Sequence, residues 1–113
     1  MACYSNITTN AGGIPYIANT NVTVSDTTVD LALGWFRRNL PPVGYFTIRV
    51  ANAIPDGTTG TLPVTLSLNG VTRALTLPNG TAVTAADLEG VIVFTVFNDR
   101  FNNILALMSR TTV

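Results

Sequence analysis

The chain has no histidine and no lysine. Without histidine it lacks the commonest general base and the commonest metal ligand. A single cysteine, Cys3, allows neither an internal disulfide nor a thiolate metal site. It lies among the first residues with no histidine to activate it, and reads as an inert thiol on a frayed terminus. Charge is scarce as well: six arginines balance six carboxylates, and charged residues make up only 11% of the chain. Such a balance argues against phosphate backbones or anionic lipid as the main partner, so neither nucleic acid nor membrane is expected. No window has the length of a membrane-spanning helix. The start, MACYSNITTN, has neither the basic region nor the apolar run of a secretory or lipid-attachment signal. The expectation is a soluble protein made in the cytoplasm.

The six carboxylates offer little chemistry. Asp56, Asp87 and Asp99 sit where turns or caps use them, Asp26 lies beside a strand connection, Asp30 alternates outward, and Glu89 falls in a helical turn. No two are marked by context as a glycosidase-like pair. The run from Asp26 to Asp30 lacks the glycine and terminal glutamate of a dedicated calcium loop, and reads as a solvated turn. Glycosylation sequons occur at Asn6, Asn21 and Asn79, a number near chance for this composition, and Asn79 is already explained as a turn residue. The expectation is a non-enzyme with no catalytic residues, no cofactor and no metal.

What the chain does have is apolar bulk: 47% of its 113 residues are hydrophobic, and the mean hydropathy is +0.38. A single domain of this size buries roughly two-thirds of its unfolded surface, enough for one core without staples. The remaining excess of apolar over charged residues suggests that part of the surface meets another protein.

Threonine, asparagine, valine and leucine dominate, a bias toward pleated strands joined by turns. Residues 1–20 read as an extended arm or a first short strand, and 21–113 as one β-sandwich domain. Val22 and Val24, and then Val29, Leu31 and Leu33, alternate with smaller or polar residues as in two half-buried strands. The double proline Pro41-Pro42 makes the segment from Trp35 to Gly44 a loop or sheet crossover. From Tyr45 to Val50, Phe46, Ile48 and Val50 share one face. Pro55-Asp56-Gly57 is a turn, and Leu62, Val64, Leu66 and Leu68 point one way.

Asn69-Gly70 signals a two-residue hairpin that sets Leu68 opposite Val71, Leu66 opposite Arg73, Val64 opposite Leu75 and Leu62 opposite Leu77. Arg73 breaks the apolar pattern of that face; its stem is expected to lie along the surface with the guanidinium in water. After a second turn at Asn79-Gly80, Thr84 and Asp87 cap a single helical turn that glycine ends. Val91 to Phe97, apolar on both faces except at Thr95, reads as a central strand covered on each side, and Asn98-Asp99-Arg100 turns it toward a last strand over Asn103 to Met108. Seven to nine short strands, one helical turn near 84–89 and no repeat predict an all-β, two-layer β-sandwich, immunoglobulin-like or jelly-roll-like.

The cluster most like a binding site is Trp35, Phe36, Arg37 and Arg38, because tryptophan and arginine are common interface anchors and here adjoin a proline-stiffened loop. The same residues also fit a core Trp-Phe pair beside two solvated arginines. Sugar binding usually shows several exposed aromatics, and there is one tryptophan. A carbohydrate-binding or adhesive β-domain on a fibre or cell surface is the alternative to a structural role.

The carboxy-terminal half, TAADLEGVIVFTVFNDRFNNILALM, is similar to a pattern common in bacteriophage virion proteins: a capped turn, an apolar strand, an Asn/Asp turn, an aromatic and a closing strand. Together with the preceding GYFTIRVANAIPDGTTGTLPVTLSLNG, it resembles the small auxiliary capsid proteins of crAss-like phages, over roughly residues 44–108. The resemblance implies a non-enzymatic decoration protein of the phage head, located in the virion and made in the host cytoplasm. Its implied partners are the major capsid protein and other head proteins, with self-association as a further expectation. Edge strands and the Trp35–Pro42 loop are the expected attachment surface.

Overall fold

The computed structural model describes residues 8–9, 15–33, 43–68 and 70–112. Within them nine strands form two sheets. The five-stranded sheet has the order β1 (Thr8–Thr9), β2 (Pro15–Ala18), β5 (Val43–Arg49), β8 (Val91–Asp99), β9 (Ile104–Thr112). The four-stranded sheet has the order β3 (Asn21–Val24), β4 (Val29–Ala32), β6 (Val64–Leu68), β7 (Val71–Ala74). The expected all-β sandwich is observed, with its one helical piece a 3-10 turn over Ala85–Leu88. Ile17 of β2 is buried in the core, so the five-stranded sheet takes in residues from the first twenty.

Alternation builds the core. Val29, Leu31 and Leu33 from one layer meet Phe46, Ile48, Phe94 and Val96 from the other, all nearly or fully buried. Pairing is antiparallel except between β2 and β5 and between β4 and β6, where Ile17 lies beside Ile48 and Leu31 beside Leu66. Asn19 secures the end of β2: its buried amide accepts the N–H groups of Ala51 and Asn52 at 2.7 and 2.9 Å and donates to the Asn52 carbonyl.

Turn chemistry is as the residue types require. The pairing Leu68 to Val71 leaves a two-residue connection, with Gly70 at φ 81°, where only glycine and a few polar residues are at ease. Pro55–Thr58 closes with Gly57 at φ 85° and the Thr58 N–H on the Pro55 carbonyl. Thr84 and Asp87 form a capping box, the Asp87 carboxylate accepting from the Thr84 N–H at 2.9 Å.

Four sequence readings change. The β6–β7 hairpin does not run on to pair Leu62 with Leu77. Past the Leu75 N–H bond to Val64, Val64 turns to Val83, and Pro63 bridges Thr84, because the chain after β7 leaves for the other sheet. There Thr76 bonds Leu105 and Leu107 of β9, joining the two layers along one side. Second, β8 has strand neighbours on both edges but is buried on one face only: Val93 and Phe97 are half-buried, and Ile92, beside a bulge, is 42% exposed. Third, Asn98 and Asp99 belong to β8, and the turn is Arg100–Asn103, with Asn103 at φ 54°. The last strand accordingly extends to Thr112.

The fourth change concerns Arg73, whose guanidinium does not simply reach water. It crosses the gap between the layers, donating from Nη1 to Asn98 Oδ1 and from Nη2 to the Ile104 carbonyl at 3.0 Å. Asn98 is 3% exposed and points inward from β8. The two out-of-pattern polar residues of the facing layers thus satisfy one another, as buried polar groups must. Burial, and then Arg100, lower the guanidinium pKa from its ordinary value, while Asp99 pulls it back.

Candidate protein-docking face

Trp35, Phe36, Arg37 and Arg38 lie outside the described residues. Among the described ones, the strongest candidate surface follows from register. Because Phe46, Ile48, Phe94 and Val96 point into the core, their alternates on β5 and β8 point out. The pairing then sets these outward residues in rows. Val43, Asp99 and Ile104 form one; Tyr45, Phe97 and Ala106 the next; Tyr16, Thr47, Thr95 and Ser109 the third, Ala106 and Thr47 being themselves buried.

Apart from Asp99, the first two rows make an apolar patch with an aromatic pair at its centre. Tyr45 is 49% exposed, its ring 5.3 Å from that of Phe97 and tilted 57°, within the range of favourable aromatic pairs. Val43 and Ile104 are also exposed, and Met108 stands out at the irregularity where β9 shifts register against β8. Strand pairing fixes every backbone here, so the patch is presented without the entropy cost of ordering a loop.

The turn that joins β8 to β9 stands beside it. The Asp99 carboxylate accepts the N–H groups of Phe101 and Asn102 at 3.1 and 3.3 Å and the Asn102 amide at 2.8 Å. Held this way, the turn projects Phe101, 79% exposed, next to the exposed Arg100. The Asn102 side chain is the main reason the Asp99 pKa is lowered; partial desolvation opposes it, and the two backbone N–H groups and Arg73 add to the lowering.

The four-stranded sheet has a different exterior. Its outward rows are Asn21, Ala32, Ser67 and Thr72, then Thr23, Asp30, Thr65 and Ala74. Asp30 Oδ1 accepts the hydroxyls of Thr65 and Ser67, both at 2.8 Å, and Ser67 is 2.8 Å from Thr72 Oγ1. The outward Asp30 of the sequence reading is thus a bonded centre of a hydroxyl network. Asp87 and Asp99 also serve the cap and turn expected of them.

Sequence reasoning missed the patch because its members are spread over three strands. The signals present were the outward aromatic Tyr45 and the two-sided apolarity of Val91 to Phe97. No helix among the described residues is long and apolar enough to cross a membrane. Compared with protein-family models, curated proteins and solved structures, the chain matches none.

Proposed function

We propose that this chain is a non-enzymatic structural protein that packs by one sheet face into a larger protein assembly, and that the assembly is a phage head. In this reading it is an auxiliary or decoration protein seated on the major capsid protein and its neighbours. The observation that carries the docking role is the apolar group on one part of the five-stranded exterior, where Val43, Ile104 and the paired rings of Tyr45 and Phe97 come together, against an opposite exterior of hydroxyls around Asp30 with no such group among its outward rows. Permanent interfaces have apolar, aromatic-rich centres, whereas free surfaces seldom group such residues. The phage head enters through the similarity of residues 44–108 to auxiliary capsid proteins, and the scarcity of charge suits a chain that spends its life packed.

Co-sedimentation with purified heads tests it. The wild-type chain pellets with particles. Tyr45→Asp combined with Val43→Asp places two carboxylates in the patch and leaves the chain folded but in the supernatant. Equal pelleting of the two proteins would sink the docking face, and saturable binding of the isolated domain to a glycan in place of particles would favour the adhesive alternative.

A further inference from the structure

At the end of the sandwich opposite the Phe101 turn lies a cleft of about 410 Å³. The loop after β5 forms one wall, and the 3-10 turn with the start of β8 forms the other. Val50, Ile54, Leu88 and Ile92 give it an apolar lining, and Asp56 and Glu89 stand in the same lining. Both carboxylates are exposed, and neither has an ion-pair partner among the described residues. They are held on rigid supports. Asp56 sits in the turn closed by Thr58 on the Pro55 carbonyl, and the Glu89 N–H bonds the Ala86 carbonyl at the end of the capped turn.

The molecule carries the complement of this cleft. The Arg100-Phe101 turn offers one large apolar side chain beside one cation, and Arg100 makes no salt bridge among the described residues. β8 joins the two features, with Val91 in the cleft wall and Asp99 anchoring the turn. Its nine residues separate them by about 26 Å, too far for contact within one copy. We propose that the cleft receives the Arg100-Phe101 turn of a second copy. The phenyl ring enters between Ile54 and Ile92, and the guanidinium meets Asp56 and Glu89. A phenylalanine has about 150–250 Å² of surface to bury, and a cleft of about 410 Å³ has room to admit its ring. Because the two halves are different surfaces, the contact is head-to-tail, and each added copy leaves a free turn at one end and a free cleft at the other. Contacts of this kind run side by side across an assembly, although the inference does not depend on the assembly being a phage head.

Sedimentation of the purified chain, without particles, reads it. The wild-type weight-average mass rises with concentration and does not level off at a dimer. Phe101→Ala with Arg100→Ala disables the turn, and Asp56→Arg with Glu89→Arg disables the cleft. All four positions are exposed, so circular dichroism should show both proteins folded, and each alone weakens association about thirtyfold or more. Mixed, they retain one intact turn and one intact cleft between them, and form a 1:1 dimer that grows no further. A wild-type chain that stays monomeric at the highest soluble concentration, a mass rise that either variant leaves unchanged, or a mixture that stays monomeric would each overturn the proposal. Loss of particle binding by the Tyr45 and Val43 variant leaves it untouched, because those residues lie outside both halves of the contact.

Discussion

The two outward sheet faces use the same pleat and alternate in the same way, yet they present opposite chemistry. On the four-stranded sheet, outward positions hold Thr23, Asp30, Thr65, Ser67 and Thr72, and the carboxylate of Asp30 organises the hydroxyls around it. On the five-stranded sheet the half nearest the β8–β9 turn holds Val43, Tyr45, Phe97 and Ile104 beside Asp99, and the hydroxyls of Thr47, Thr95 and Ser109 lie in the next row. Since both sheets contribute fully to one core, the difference owes nothing to folding stability. A strand needs apolar residues on its inner face only, so apolar residues on the outer face serve something beyond the fold.

The comparison can be broken most directly by moving charge between the faces. Tyr45→Asp is expected to weaken particle binding by about 2 kcal/mol or more, roughly thirtyfold, as for a central aromatic anchor. Thr23→Arg on the other face should change the same co-sedimentation measurement by less than a factor of two. Equal losses would erase the distinction.

The link between the layers comes next. Arg73→Ala removes one hydrogen bond from the buried Asn98 amide and the tie between the layers, and should lower unfolding free energy in urea by about 1 kcal/mol. Arg73→Met with Asn98→Leu, which removes both polar groups together, should recover most of that loss. A double variant no more stable than the single one would show that the pair is worth more than its desolvation.

Within the hydroxyl face, Asp30→Ala strips Thr65 and Ser67 of their acceptor and should cost about 1 kcal/mol in the same urea titration, with particle binding unchanged. Lost binding would give that face a role it is not assigned here.

The smallest effect is on pH. The folded Asp99 carboxyl titrates below its unfolded value, so its stabilisation is present above pH ~4 and is lost as pH falls through the lowered folded value. Asp99→Asn should flatten that part of the acid-unfolding curve, as followed by circular dichroism.

Much of the fold was legible because alternation reports which residues share a face. Val29-Leu31-Leu33, Phe46-Ile48 and the Val64-Leu66 pair all occupy the core positions their spacing demanded. Local chemistry was legible too, as with Gly70 in its turn and Asp87 in its cap. What alternation cannot report is which strands lie side by side. The parallel neighbours β2–β5 and β4–β6 join residues about thirty positions apart with no turn to announce them. The docking patch depends on another distant pairing, that of β5 with β8, and the Arg73–Asn98 link on a contact between the sheets, where each arginine or asparagine alone reads only as a break in pattern. The loop chosen from sequence, Trp35 to Arg38, lies outside the described residues, whereas the patch is built from strands.

Those parallel pairs also set the order of events when the chain is made. Ile17 cannot settle beside Ile48, nor Leu31 beside Leu66, until the later strand has emerged, so neither layer can close early during synthesis. Such distant pairings put refolding in the millisecond-to-second range rather than the microseconds open to helical chains. Each copy therefore passes through a stage with its oily strands uncovered, before the surface meant for a partner has taken shape.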